Sequence, residues 1–192
     1  MAKQDEKPIV FPSARAFEEW LGRHHASSAG VWVKIARPKT DHASVSHRDA
    51  LAVALRYGWI DALRKSLDES WWLQRFTPRG PNSIWSKVNR QAVERLIAQG
   101  EMHPAGLAAV ERAKRNGQWD KAYDSWSNAE VPADLAAALS RAPKARAFFE
   151  TVSGRNRYAV LFRIHTAKRA ETRARRIAQF VAMLERGETI YP

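Results

Sequence analysis

Residues 57–89, YGWIDALRKSLDESWWLQRFTPRGPNSIWSKVN, constrain the fold of this chain more than any other stretch. Four of its eight tryptophans fall here: Trp59, Trp71, Trp72 and Trp85. Trp59–Leu63 and Trp71–Phe76 are rich in aromatic and branched residues and are joined by a short polar connection, the pattern of an antiparallel hairpin. Gly58 is placed to end a preceding helix in the left-handed conformation. Pro78, Gly80 and Pro81 stiffen the loop that follows. Side chains alternate along a strand, so Asp61 shares a face with Trp59. A carboxylate beside an indole is either paired with a cation or faces a ligand. Arg75 and Arg79 are the cations expected to pair with it.

The rest of the chain supplies helices around this hairpin. Residues 1–10 read as a mobile lead. Ser13 caps a first helix with Phe17, Trp20 and Leu21 inward, and Val31–Ile35 forms a further strand. Ser46 caps a second helix, whose stripe is Ala50, Leu51, Ala54 and Leu55. A third helix, capped by Ser83 or Ser86, buries Val88, Ala92, Val93, Leu96 and Ile97 and stops at Gly100. Beyond it the periodicity is helical throughout. Helices are expected over Gly106–Asn116 and Gln118–Asn128, the second carrying Trp119, Tyr123 and Trp126 as a packing stripe. Others start near Pro132, at Pro143 (burying Ala147, Phe148 and Val152) and at Arg155 (burying Tyr158, Leu161, Phe162 and His165). The last runs from Ala167 to Arg186. The expected fold is α+β: a small antiparallel three-stranded sheet with helices over residues 11–100, and an all-helical part over 101–192 packed on it as one compact unit.

Charge narrows the partners. The chain carries a formal +12, and residues 131–192 hold 12 Lys and Arg against 5 Asp and Glu. Such an excess favours anionic partners. Lys168, Arg169, Arg173, Arg175 and Arg176 crowd the start of the last helix, mostly off its apolar stripe, as an anion-binding face or a solvated one. A second candidate is a pocket formed by Trp59, Asp61, Arg79, Ser83, Trp85, Ser86 and Asn89. There an aromatic wall, one carboxylate, one guanidinium and a helix N-terminus would meet a planar anionic ligand. The chain has no cysteine, which removes disulfides and thiolate metal sites. Paired His24 and His25 point apart on a helix, so no metal site is expected. No phosphate-binding glycine loop, zinc-protease motif or nucleophile elbow is present. The polar start and the lack of a long apolar run predict a cytoplasmic protein without a membrane span.

Tyr57-Gly58-Trp59-Ile60-Asp61, Phe76-Thr77-Pro78-Arg79 and Trp85-Ser86-Lys87-Val88-Asn89 resemble the signature of the YdeI/OmpD-associated family, the bacteriocin-protection proteins. Gly100-Glu101-Met102, Ala167-Lys168-Arg169 and Thr172-Arg173-Ala174-Arg175-Arg176-Ile177 continue the resemblance in order. Ala62 stands where the family more often has glycine, and Gly80 and Glu101 where it more often has arginine. The resemblance implies an association with a porin and with peptide resistance, and no defined chemistry. The expectation is a non-enzymatic binding or regulatory protein, without cofactor, that recognises an anionic small molecule or an acidic protein partner. The resemblance adds a link to envelope stress or antimicrobial-peptide resistance. Two alternatives stand: a nucleic-acid-binding protein using the basic last helix, and a small-molecule enzyme with Asp61, beside His103, as acid/base.

Overall fold

Three strands form one antiparallel sheet in the order β1-β3-β2, with β1 Val31–Ala36, β2 Trp59–Ser66 and β3 Trp71–Pro78. The computed structural model describes residues 7–124 and 130–192, and they form an α+β fold. Val31 pairs with Phe76 and Ile35 with Trp72, while Lys65 pairs with Leu73 across the other side of β3. Strict alternation sends Val31, Val33, Ile35, Trp72 and Phe76 to one buried face. Helices α1 (Ala14–His24) and α2 (His47–Arg56) cover that face, with the Phe17 and Phe76 rings 5.4 Å apart. Ser13 and Ser46 cap these helices as expected, each accepting a backbone N–H three residues on. The hairpin is tighter than the sequence suggests, because a register shift between Asp61 and Arg64 lets β2 continue to Ser66. The lead is not loose throughout: Ile9 donates to the Trp32 carbonyl and accepts from Lys34 N–H, both at 2.8 Å.

Helices α3 (Lys87–Ala98) and α4 (Pro104–Arg115) build a second core from Leu55, Trp85, Val93, Val110, Ala113 and Trp119. The expected stripe on α3 is covered only in part: Val93 is buried and Ala92 and Leu96 pack against the same core, but Val88 and Ile97 are exposed. Nor does a helix run from Gln118. Gly117 turns the chain at φ 71°, Trp119 N–H closes back on the Ala113 carbonyl, and residues 116–121 are turn. The expected aromatic stripe is thereby divided. Trp119 packs edge-on against Trp85 at 4.7 Å, Tyr123 meets Phe162 at 5.1 Å, and Trp126 lies outside the described residues.

The chain divides into two compact units, residues 1–85 with 89–122, and residues 86–88 with 123–192. The boundary expected at residue 100 therefore falls inside the first unit, since α4 supplies part of the core around Trp85. The second unit contains α5 (Ala133–Ser140), α6 (Pro143–Thr151), α7 (Gly154–His165) and α8 (Ala170–Glu185). Leu135, Leu139, Phe149, Val160, Ile164, Ile177 and Leu184 form its core. Here α6 buries Ala145 and Phe149 rather than Ala147, and His165 on α7 is exposed. No helix among the described residues is long and apolar enough to cross a membrane.

At the start of α4, His103 Nδ1 accepts the Ala105 N–H at 3.2 Å, and its ring stacks on Tyr57 at 4.6 Å beside His25 at 4.7 Å. Burial, then the neighbouring His25, lowers its pKa. Its cap and the positive helix end also oppose protonation, because a protonated Nδ1 cannot accept. The unfolded chain therefore takes up this proton first. The contribution is intact above the unfolded value of about 6.5 and declines as pH falls below it. His103→Asn keeps a capping acceptor without the titration. It is expected to flatten the fall in melting temperature between pH 7.5 and pH 5; an unchanged profile would show that His103 is not the group responsible.

Candidate functional site

The first candidate set is dispersed over packing roles. Trp59 is fully buried in the core under the sheet, its indole N–H donating to the His25 carbonyl at 3.3 Å. Trp85 belongs to the second core. The Arg79 guanidinium lies 3.6 Å from the Trp85 ring and donates to the Ile84 carbonyl at 3.0 Å, so this basic loop residue is buried. Arg79 N–H donates to the Gly58 carbonyl, and Arg112 donates to the Arg79 carbonyl, which folds the proline-stiffened loop back onto the body. Ser83, half-buried, closes a turn onto the Gly80 carbonyl. Ser86 belongs to the second unit, where it bridges Tyr123, and Asn89 is half-buried in the first turn of α3.

Asp61 has a partner the sequence did not indicate. Its carboxylate accepts from His47 Nε2 at 3.2 Å, with the two side chains 30% and 37% exposed. Neither expected arginine takes that place, and His103 is engaged elsewhere with Tyr57. His47 sits in the first turn of α2 near the Trp72 and Phe76 rings, so the docking of α2 on the sheet creates the pair.

The basic run of α8 is also partly structural. Arg173 donates to both Asp134 oxygens at 2.6 and 2.9 Å and to the Ile164 carbonyl at 3.0 Å. Arg176 donates to the Arg163 carbonyl and approaches the Thr166 hydroxyl at 3.5 Å. These two cations therefore serve the carbonyl end of α7. Lys168, Arg169 and Arg175 are exposed.

A cavity of about 740 Å³ opens on α7, lined by Gly154, Arg155, Tyr158, Ala159, Phe162, Arg163 and Tyr191. Its size lies within the range of small-molecule sites, roughly 300–1,000 Å³. Arg155, Tyr158, Phe162 and Arg163 recur at helical spacing, so one face of α7 presents two rings between two guanidiniums. The opposite face carries Val160 and Ile164 into the core. Buried Asn156 fixes the far wall: its carboxamide accepts Tyr191 N–H at 2.9 Å and donates to the Tyr191 carbonyl at 3.1 Å. The Tyr191 ring is thereby held under Arg155 at 4.2 Å and 5.7 Å from Arg163. Burial, then Tyr123, pushes the Tyr158 hydroxyl up to about 12, so it remains a neutral donor at physiological pH. Among the described residues, no three His, Asp or Glu side chains converge to hold a metal ion.

Residues 9–109 match the family model described as Domain of unknown function (DUF8412), more than half of the chain. The chain belongs to the DUF8412 family. In its last third, residues 128–187 match the model described as Bacteriocin-protection, YdeI or OmpD-Associated. No curated protein and no solved structure matches. The cavity on α7 falls within the YdeI/OmpD-associated match except for Tyr191, which follows the matched residues. The tryptophan-rich stretch of residues 57–89 falls within the DUF8412 match.

Sequence reasoning missed the α7 site because it assigned Tyr158 and Phe162 to the core. A signal was present: Arg155 and Arg163 flank them on the same helical face, where a buried stripe would carry apolar residues.

Proposed function

We propose that the region matching the YdeI/OmpD-associated model binds a small molecule with a planar apolar part and an anionic group, and that the protein acts as a ligand-binding or regulatory component. The observation that carries this reading is the pairing of Arg155 and Arg163 with the Tyr158, Phe162 and Tyr191 rings around one open cavity. The rings supply apolar area at low ordering cost, the guanidiniums supply forked donors for a carboxylate or phosphate, and the neutral Tyr158 hydroxyl adds a further donor. At its start, α7 also leaves the Gly154 and Arg155 N–H groups outside the helical ladder, which favours negative charge. A role in peptide resistance runs through regulation rather than capture, since a chain of net charge +12 repels a cationic peptide at long range.

Isothermal titration with benzoate and phenyl phosphate, set against benzyl alcohol and inorganic phosphate, tests the reading. The aromatic anions are expected to bind more tightly than either half alone. Arg155→Gln is expected to weaken them about tenfold, equivalent to about 1.4 kcal/mol. Equal affinity for benzyl alcohol and benzoate, or no heat with either aromatic anion at millimolar concentration, would sink it.

A further inference from the structure

The outer face of the sheet in the first unit carries a second surface, independent of the α7 cavity. Helices α1 and α2 occupy the inner face, whose Val33, Trp72 and Phe76 are buried. On the other face, Trp32 and Trp71 stand among Lys34, Lys65 and Arg75. Lys34 Nζ lies 4.5 Å from the Trp71 ring, Lys65 Nζ 4.9 Å from the Trp32 ring, and the Arg75 guanidinium 5.7 Å from the same ring. His42, from the loop after β1, stacks on Trp71 at 4.8 Å. The pairing of Trp32 with Arg75, Lys34 with Leu73 and Lys65 with Leu73 puts all three cations on the side of the two indoles. The sheet's acid, Asp61, pairs with Phe76 in the register and so belongs to the inner face. No outward position of the three strands is acidic.

Both indoles are half-buried and belong to none of the hydrophobic cores. The side chains that meet the two rings are Lys34, Lys65, Arg75 and His42, with Leu73 on the same outward face. Trp71 lies opposite Ala36, four residues along β1 from Trp32, which sets the rings roughly 14 Å apart at ordinary strand rise and spacing. Two aromatic platforms on an open sheet, with flexible cations between them, are the chemical complement of unpaired bases on a phosphate chain.

We propose that this sheet face binds single-stranded nucleic acid, stacking bases on Trp32 and Trp71 while Lys34, Lys65 and Arg75 contact phosphates. In the unliganded protein the lysine heads lie over the rings. When a base takes a ring face, each lysine swings on its four-carbon stem to a phosphate, so the ring and the cation both keep a partner. Sequence preference is weak, because every base offers a π-face. Double-stranded helices fit poorly, since their bases are already stacked.

Fluorescence anisotropy of the full chain with a labelled 15-nucleotide oligo(dT) tests the proposal, with the same length of duplex DNA and poly-glutamate as competitors. Binding is expected to weaken with salt with a log–log slope of about −2, the value for three contacts to a single strand. Lys34→Glu with Lys65→Glu is expected to flatten the slope to about −0.7, the value for the one remaining contact. Trp32→Ala with Trp71→Ala is expected to lower affinity about tenfold or more and leave the slope unchanged. Trp32→Leu with Trp71→Leu serves if the alanine pair fails to fold, as judged by circular dichroism. Lys144→Glu with Arg146→Glu, exposed on α6, is expected to leave binding as it is. Duplex or poly-glutamate competing as well as the single strand, indifference to the tryptophan variants, or an equal loss in the α6 variant would overturn the proposal in favour of diffuse polyanion attraction. Loss of oligo(dT) binding in the sheet variants with benzoate binding retained would separate this surface from the α7 site.

Discussion

Gly106→Ala is expected to destabilise the first unit by about 3 kcal/mol, near the upper end of what overpacking costs. A Cβ built on Gly106 stands 2.0 Å from the Arg56 carbonyl oxygen, 2.9 Å from its carbon and 2.7 Å from Met102 Cε. The methionine can move, because its thioether is flexible. The carbonyl cannot move freely. It accepts the His103 N–H at 3.1 Å, and it ends α2 just before Gly58, whose φ of 72° sets the chain into β2. Gly58 is equally confined, since its own Cβ would stand 2.9 Å from Ala109 Cβ and 3.1 Å from the Ala105 carbonyl. Thus α2 and α4 meet backbone to backbone, and a methyl group must push them apart by about an ångström. That displacement opens the layer of Leu55, Val110 and Ala113. Alanine's better helix propensity recovers at most about 1 kcal/mol. Gly22→Ala is the matched control: its Cβ would make an ordinary 3.7 Å contact with the Tyr57 hydroxyl, so it is expected to be neutral or mildly stabilising. Urea denaturation reads both. A Gly106→Ala midpoint equal to the parent's would mean the helices can separate without cost.

The sheet was legible because its signals are local. Val31, Val33 and Ile35 alternate with Trp32 and Lys34, and the Trp59 and Trp71 runs flank a polar turn, so strand identity follows from neighbouring residues. Ser13 and Ser46 were legible as caps for the same reason. Arg79 was not. In sequence it is a basic residue between a proline and a glycine, the composition of an exposed loop, yet it is 5% exposed under Trp85 because Arg112 and Gly58 bind the loop's backbone from distant positions. His47 and Asp61 show the same limit: fourteen residues separate them, and only the docking of α2 brings them to 3.2 Å. On α7, periodicity grouped Tyr158, Leu161, Phe162 and His165 as the inward face, whereas Val160, Leu161 and Ile164 are the ones buried. It could not tell which face the other helices cover. That depends on α5, α6 and α8, and on Asn156 drawing Tyr191 across the remaining one. Periodicity ranks faces by apolarity, whereas a binding site is an apolar face left open.

Arg173→Glu is expected to destabilise the second unit by about 2–3 kcal/mol and to abolish its most connected surface ion pair. From the sequence, reversing Arg173 together with Arg176, both off the apolar stripe, would be expected to leave the melting temperature nearly unchanged. The contacts of Arg173 say otherwise. Arg173 and Asp134 are 29% and 45% exposed, so solvent screens the pair and its own share is about 1 kcal/mol. The forked geometry onto both carboxylate oxygens keeps it at the upper end of that range. A second share of at most about 1 kcal/mol comes from the bond to the Ile164 carbonyl at the end of α7, which also accepts the Ala167 N–H at 3.2 Å. Glutamate loses both, and it sets a negative charge against Asp134 and against the negative end of α7. Arg173, through its hydrogen bond first, holds the Asp134 pKa below the usual carboxylate value. The pair's contribution is therefore full above an unfolded value of about 4 and lost as pH falls through the lower folded one. The parent and Arg173→Glu should accordingly draw closer in stability by the ion-pair share as Asp134 is protonated, while the share from the carbonyl bond persists. Asp134→Lys combined with Arg173→Glu rebuilds the pair in reverse but not the carbonyl bond, so the double variant should recover about half of the loss. Thermal melts of the three proteins at pH 7 and pH 3 make the comparison. A single variant as stable as the parent at pH 7 would return Arg173 to the exposed cations Lys168, Arg169 and Arg175 as part of one solvated patch.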